Sequence, residues 1–128
     1  MNPAGDPAYW RLRPRAPQPG TVLGRVGDIP DGEGREYRFG PGKSAFSMFV
    51  VRQGEELRGY VNRCPHFSLP LNYRDNQFTD PDRGLILCYT HFAAFRFEDG
   101  LCIEGACEGL PLDPVPLVVE DGVVRIGA

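Results

Sequence analysis

Hydrophobic and polar residues alternate over short stretches of this chain, and no long stretch repeats with the 3.6-residue period of a helix. Arg35–Phe39 alternates charged and aromatic residues, and Phe46–Arg52 is rich in aromatic and β-branched residues. In Ala94–Glu98 the side chains of Phe95 and Phe97 fall on the same face. A period of two predicts half-buried β-strands, so these stretches are assigned to strands.

Short turn sequences separate these stretches and predict hairpins. Asp99-Gly100 and Asp121-Gly122 are typical two-residue hairpin turns, and Gln53-Gly54-Glu55 is a third turn. The remaining predicted strands are Thr21–Val26, Glu56–Asn62, Leu85–Leu87, Leu101–Ile103, Leu117–Glu120 and Val123–Ile126. Short strands at hairpin spacing with almost no helix predict an all-β domain of small stacked antiparallel sheets or a partly closed barrel.

Two stretches between the strands are predicted as loops. Asn72–Gly84 is polar and rich in turn residues, and only Tyr73 and Phe78 give it much to bury, so it is predicted to be a surface excursion. Gly105–Pro116 is rich in proline and glycine.

The chain divides into a tail and one domain. Residues 1–20 contain five prolines and three arginines at alternate positions, which predicts an extended N-terminal tail with Tyr9 and Trp10 held against the body. The arginines make a partner-binding arm an alternative to a solvated tail. Residues 21–128 form the predicted domain, and the length of 128 residues allows one modest core.

Charge and cysteine usage exclude some classes of function. The net charge is −3, which gives no electrostatic support to nucleic-acid binding. No basic-then-apolar signal sequence is present and no apolar run reaches the ~20 residues of a membrane span, so we expect a cytoplasmic protein without a membrane partner. Reducing conditions there favour metal binding over disulfides for the four cysteines.

Two short motifs bring cysteine and histidine together. Cys64-Pro65-His66, hook 1, is separated by 21 residues from Cys88-Tyr89-Thr90-His91, hook 2, and these hooks contain both histidines of the chain. Thiolate and imidazole are ligands for zinc, iron or an iron–sulfur cluster. Zinc also accepts two Cys and two His, although zinc sites usually pair like ligands at C-x₂₋₄-C and H-x₃₋₅-H spacing.

The two hooks resemble those of the Rieske iron–sulfur proteins. The resemblance implies one [2Fe–2S] cluster per chain, with Cys64 and Cys88 on one iron and His66 and His91 on the other. It also implies a small cluster-binding sheet, about residues 63–107, inserted in a larger β-domain. A soluble Rieske ferredoxin hands single electrons from a reductase to an oxygenase, and the chain is expected to do the same.

Departures from the Rieske pattern refine this expectation. Where respiratory-chain Rieske subunits have a Ser and a Tyr after the second His, this chain has Ala93 and Phe95, so two hydroxyl hydrogen bonds to sulfur are missing. The cysteines of their disulfide clamp correspond to Leu69 and Thr90. Ser68 and Phe92 stand where glycine is common. We expect five apolar residues near the hooks to shield the cluster from water: Pro65, Phe67, Leu69, Pro70 and Phe92. The alternative is that Leu69 and Phe92 are ordinary core residues.

Some alternatives stay open. Cys102 and Cys107 are interpreted as buried thiols, with a redox-active pair or a thiol that tunes the cluster as the competing hypotheses. A Rieske oxygenase needs a second iron with further His ligands. Because both histidines are already used in the hooks, this chain alone is not expected to be an oxygenase. An accessory subunit of a larger oxidoreductase, such as a small nitrite-reductase subunit, and a zinc-stabilised interaction module remain as alternatives to the electron carrier.

Overall fold

The computed structural model of the chain describes residues 9–65, 69–89 and 92–128, and it is built from short strands. The strands are β1 Val22–Arg25, β2 Gly34–Phe39, β3 Phe46–Gln53, β4 Glu56–Val61, β5 Thr79–Asp80, β6 Leu85–Leu87, β7 Ala94–Arg96, β8 Cys102–Glu104, β9 Pro114–Val115, β10 Leu117–Glu120 and β11 Val123–Ile126. Short 3₁₀ turns lie at Tyr9–Leu12, Val26–Asp28 and Gly42–Ser44. The all-β prediction is confirmed.

The strands form three antiparallel sheets. One has the order β1-β11-β10, the second β2-β3-β4-β9 and the third β5-β6-β7-β8. The predicted small stacked sheets are therefore present, and the third sheet carries the second cysteine hook at the end of β6.

In the part of the chain that the structure describes, no helix is long and apolar enough to cross a bilayer.

The middle sheet contributes side chains to two buried clusters, because strand β3 is buried on both of its faces. Met48 and Val50 point into a cluster shared with the first sheet, which includes Val124. The alternate residues Phe49 and Val51 point into a cluster shared with the third sheet. Side chains on a strand alternate between faces, so β3 reads as a continuous apolar run while serving two layers.

Most predicted strands are observed, and the turns explain their ends. Asp121 and Gly122 have φ of +52° and +77°, the two-residue turn that joins β10 to β11. The turn at Asp99-Gly100 is wider than predicted, because β7 already ends at Arg96 and Arg96 N donates to Leu101 O. The β7–β8 hairpin itself is present, with a register shift.

Two strands were not predicted, because each is only two residues long and lies in a stretch that was predicted to be a loop. β5 lies in the predicted surface excursion, and β9 lies in the Pro/Gly-rich loop. Of the two residues that gave this excursion something to bury, Phe78 is fully buried and stacks on Phe49 with ring centroids 4.4 Å apart, whereas Tyr73 is 76% exposed. An isolated aromatic in a polar stretch gave no periodic signal of this contact.

The N-terminal segment is packed on the body from Tyr9 onwards. Tyr9–Leu12 forms a single 3₁₀ turn, and Trp10 is fully buried in the core between the first and middle sheets. Arg13 forms an ion pair with Asp113 in the loop before β9. The part of the tail that the model describes is therefore anchored, while the domain boundary at residue 20 stays a prediction.

Candidate metal centre

Both cysteines of the hooks lie at or just beyond the ends of strands. β4 of the middle sheet ends at Val61, three residues before Cys64, and β6 of the third sheet ends at Leu87, directly before Cys88. Both cysteine side chains are completely buried. The two sheets that face each other across one core thus each deliver one thiol.

The same backbone hydrogen bond closes both loops. Cys64 N donates to Leu69 O at 2.7 Å, and Cys88 N donates to Ala93 O at 2.8 Å, so each cysteine is bonded to the carbonyl five residues later. A third bond, from Tyr89 N to Leu71 O at 2.8 Å, joins the two loops. The hooks are therefore matched in backbone closure and fixed to each other, although they differ by one residue in spacing.

Asn62 holds the start of hook 1, a role that was not predicted. Its Oδ1 accepts a hydrogen bond from Leu71 N at 2.8 Å, and its Nδ2 donates to Asn72 Oδ1 at 2.9 Å and to Ser47 Oγ at 3.2 Å. The residue is only 6% exposed. A buried amide with its hydrogen-bonding capacity used on both sides of a loop fixes that loop's two ends. A polar residue ending a strand two positions before a cysteine was the only signal.

The donor set fits a metal centre as far as the described residues reach. Cys64 and Cys88 belong to one buried cluster, and none of the four cysteines, all of them described, forms a disulfide. His66 and His91 lie outside the described residues, as do Phe67, Ser68 and Thr90. Within residues 9–65, 69–89 and 92–128, no group of three or more His, Cys, Asp or Glu forms a rival site. The four-ligand assignment stays a prediction.

Ala93 and Phe95 place no hydroxyl beside hook 2. Ala93 is 2% exposed and Phe95 is fully buried, and both lie in the cluster that contains the two hook cysteines. Gly105 lies against Ala93, because a Cβ built on Gly105 would be 2.9 Å from Ala93 Cα. The loop after β8 thus packs directly on the segment that closes hook 2.

The alternative that Leu69 and Phe92 are ordinary core residues is wrong, and their role in walling the cluster from water stays a prediction. Leu69 is 47% exposed and Phe92 is 68% exposed, and Pro70 is exposed as well. Phe92 has φ of +60°, a left-handed conformation that is rare for a bulky residue. The buried surroundings of the hook cysteines come instead from Leu71, Ala93, Phe95, Cys102, Cys107 and Leu112.

Cys102 and Cys107 form a close pair of thiols in the same cluster. Cys107 Sγ donates to Cys102 Sγ at 3.2 Å, and Cys102 Sγ donates to Glu104 O at 3.1 Å. Burial, together with the bond from Cys107, raises the pKa of the Cys102 thiol to about 12. Both are 1% exposed. A thiol held neutral and buried in this way is a poor nucleophile, which favours the structural interpretation of the pair.

Comparison with known families gives one match. The family model described as the Rieske [2Fe-2S] domain matches residues 20–115, three quarters of the chain. A comparison with curated proteins gave no match. The matched stretch contains both hooks and the loop that carries Cys102 and Cys107.

Solved structures show the same fold. The ferredoxin of carbazole 1,9a-dioxygenase from Nocardioides aromaticivorans IC177 is 17% identical, with a TM-score of 0.69 over 86% of this chain and 98% of that one. Sphingomonas yanoikuyae B1 ferredoxin is 23% identical, with a TM-score of 0.60 over 85% and 98%. A complex of reduced oxygenase and oxidised ferredoxin in carbazole 1,9a-dioxygenase matches with 22% identity and a TM-score of 0.68, over 87% and 94%.

Proposed function

The chain belongs to the Rieske [2Fe-2S] domain family, and from that premise we propose that it is a one-electron carrier that passes electrons from a reductase to an oxygenase or a similar redox enzyme. The family implies a Rieske-type [2Fe–2S] cluster, which would supply a reversible one-electron couple. The observation that carries the proposal is the pair of matched loops that bury Cys64 and Cys88 and are bonded to each other through Tyr89 and Leu71.

The four hook residues have distinct roles in this proposal. Cys64 and Cys88 bind one iron as thiolates, and their two negative charges offset the double positive charge of the oxidised cluster. His66 and His91 bind the other iron as neutral imidazoles. Replacement of two thiolates by imidazoles makes an electron easier to accept than in an all-cysteine site. The buried apolar residues around Cys64 and Cys88 exclude water from the iron that these two cysteines would hold.

The partners and the absence of catalysis are part of the proposal. Similar structures are described as ferredoxins and as a complex of ferredoxin with the oxygenase of carbazole 1,9a-dioxygenase, which supports an oxygenase as the acceptor here. Both histidines are committed to the hooks, so we expect the chain to hold no catalytic iron. The net charge of −3 and the lack of a long apolar run lead us to expect neither a nucleic-acid nor a membrane partner. The two thiols 3.2 Å apart would stay reduced in the cytoplasm, the predicted compartment.

Metal analysis of matched cysteine variants tests the proposal. Protein purified under argon should be coloured, contain about two iron and two acid-labile sulfide per chain, and accept one electron reversibly from dithionite. Cys64→Ser should remove the colour and most of the iron, while Cys102→Ser should keep both. Stoichiometric zinc in colourless wild-type protein would establish the interaction module instead, and equal iron loss in both variants would contradict the ligand assignment.

A further inference from the structure

A concave surface beside hook 1 is lined by cations and by no carboxylate. This basic groove has a volume of about 700 Å³. Its basic residues are Arg13, Arg15, Arg38, Lys43 and Arg63, and its other lining residues are neutral. The chain as a whole has a net charge of −3, so the sign of the groove is opposite to that of the molecule.

Neighbouring carboxylates neutralise only part of this charge. Arg13 is paired with Asp113 and Arg38 with Glu36, both acids lying outside the groove lining. Arg15 donates to the Ser44 carbonyl, an uncharged partner. Lys43 and Arg63 are exposed and make no ion pair with any residue that the model describes. Three cations are therefore left to act on an incoming ligand.

The groove reaches the loop that carries the first thiol. Arg63 directly precedes Cys64, and Leu69, whose carbonyl closes that loop, lines the groove together with Pro70. Leu69 is 47% exposed and gives this end of the groove an apolar rim. A partner seated in the groove would therefore touch the backbone loop that holds Cys64.

We propose that the basic groove is the docking surface for a carboxylate-rich face of the redox partner protein. This inference rests on the proposed electron-carrier function and names the chemistry of the partner. The cations are spread over an open surface with an apolar rim. Such a surface suits a partner face that carries several carboxylates and one side chain that becomes buried at the centre of the interface. Arginine guanidinium groups also bind carboxylates in a bidentate manner. A cationic groove on a protein of net negative charge steers such a partner towards hook 1.

Oxidants of opposite charge test whether the groove attracts anions. Dithionite-reduced protein is mixed at low ionic strength with ferricyanide, an anion, or with tris(phenanthroline)cobalt(III), a cation, and the rate of cluster oxidation is followed by visible absorption. Lys43→Glu with Arg63→Glu should slow oxidation by ferricyanide about tenfold and accelerate oxidation by the cobalt complex. Arg35→Glu with Arg125→Glu, an equal charge change outside the groove, should alter either rate less than about twofold.

A peptide probe tests whether the ligand is carboxylate-rich protein. A labelled peptide of ten glutamates should bind the oxidised wild-type protein, with binding weakened about tenfold in the Lys43→Glu/Arg63→Glu protein and lost at high salt. Arg15→Glu with Lys43→Glu, which leaves the residue next to Cys64 unchanged, should weaken binding similarly. Saturable binding of inorganic pyrophosphate more tightly than the peptide would show a small-anion site and overturn the docking proposal.

The outcomes separate this inference from the function on which it rests. Equal effects of the groove pair and the control pair on ferricyanide oxidation would mean that only net charge matters, and the basic groove would have no docking role. In that case the wild-type protein would still be coloured and would still exchange one electron. Colourless protein without iron would instead contradict the electron-carrier function itself.

Discussion

At the residue scale, two side chains beside hook 2 determine how easily a bound cluster accepts an electron. Ala93 and Phe95 are buried next to the hook cysteines and have no hydroxyl to donate to sulfur. A hydrogen bond to a charged group contributes roughly 1.5–3 kcal/mol, and only the difference between the oxidised and reduced states affects the potential. The missing donors therefore favour a reduction potential near the low end of the Rieske range.

Restoring the hydroxyls should raise that potential. We expect the wild-type protein to lie towards the lower part of about −150 to +300 mV, and Ala93→Ser with Phe95→Tyr to raise the value by tens of millivolts to about a hundred. Voltammetry of both proteins at one pH measures the difference. Ala106→Ser, an exposed hydroxyl in the adjacent loop, is the control. A wild-type value near the top of the range would show that another donor replaces the hydroxyls.

The thiol pair of Cys102 and Cys107 should make the protein sensitive to alkali. The pKa of Cys102 is raised to about 12 in the folded protein, while a thiol in an unfolded chain titrates near 8.5. Between these values the unfolded chain releases a proton that the folded chain keeps, so stability falls as pH rises. Stability is unaffected by this thiol below about pH 8.

Alanine substitution isolates this effect. The Cys102→Ala/Cys107→Ala protein should keep its visible spectrum and be about 1–2 kcal/mol less stable at pH 7.5, because buried sulfur contacts are lost. Its stability should then fall less between pH 7.5 and 10 than that of the wild type, by about 2 kcal/mol. Urea unfolding at both pH values measures this. Identical slopes would contradict a neutral buried thiol, and a changed reduction potential would favour the hypothesis that the pair tunes the cluster.

Residue identity explains which site features could be predicted. The hook cysteines and the missing hydroxyls were predictable because the side chain itself carries the chemistry. The role of Asn62 was not, because Ser47, Leu71 and Asn72 meet it only in the folded chain. The exposure of Phe92 was not predictable either, since an aromatic residue in a short motif is expected to be buried and its positive φ is set by the folded loop.

At the element scale, the loop after β8 and hook 2 fit together at one glycine. Gly105 has φ of +102°, and a Cβ on it would be 2.9 Å from Ala93 Cα, the residue whose carbonyl closes hook 2. Gly109 in the same loop has φ of +90° but nothing within 4 Å of its Cβ position. An alanine at either position would be strained by the positive φ, so the two positions differ only in the space available to a Cβ.

This contrast predicts different outcomes for the same substitution. Gly105→Ala should displace the backbone at Ala93, lower the iron content and destabilise the protein by more than 2 kcal/mol, since strain and a backbone clash act together. Gly109→Ala should cost only about 1 kcal/mol and keep the iron. Iron analysis and urea unfolding of both variants give the comparison. Equal iron retention would show that hook 2 does not depend on this contact.

The strands themselves were predictable where local signals were complete. The β10–β11 hairpin was assigned at its observed bounds because the turn residues and the flanking apolar residues agree. β5 and β9 were not, since a two-residue strand is defined by its distant partner and not by its own sequence. β3 packs against a different sheet on each of its two faces. Its apolar sequence indicates that the strand is buried but does not indicate which sheet covers each face.

At the scale of the whole molecule, a buried hydrogen bond connects the middle sheet to the turn that follows β7 of the third sheet. Tyr60 of β4 donates its hydroxyl to the Phe97 carbonyl at 2.8 Å, and the pair is buried. Burial raises the pKa of Tyr60 above its ordinary value of 10, so the hydroxyl stays protonated and available as a donor. The bond lies in the same buried cluster as the hook cysteines.

Removal of this hydroxyl should weaken the whole domain. Tyr60→Phe leaves a buried carbonyl unpaired, and we expect the free energy of unfolding to fall by about 1–3 kcal/mol. Because the middle and third sheets share one buried cluster, the visible spectrum and the far-ultraviolet circular dichroism should still change together during urea unfolding. Tyr73→Phe, at a side chain that is 76% exposed, is the control and should change stability by less than about 0.5 kcal/mol. Separate transitions would mean that the sheets unfold independently.

The first sheet places the two ends of the fold next to each other. β1 lies beside β11, and Gly20 N donates to Ile126 O at 2.8 Å. The hooks extend from β4 and β6, which belong to the other two sheets. Trp10 and Ile126 lie in the same buried cluster, so the domain is suited to circular permutation: a linker could join the C-terminus to Tyr9, and new ends could open at the exposed Gly54-Glu55 turn. Such a rearranged chain would present both cysteine hooks unchanged.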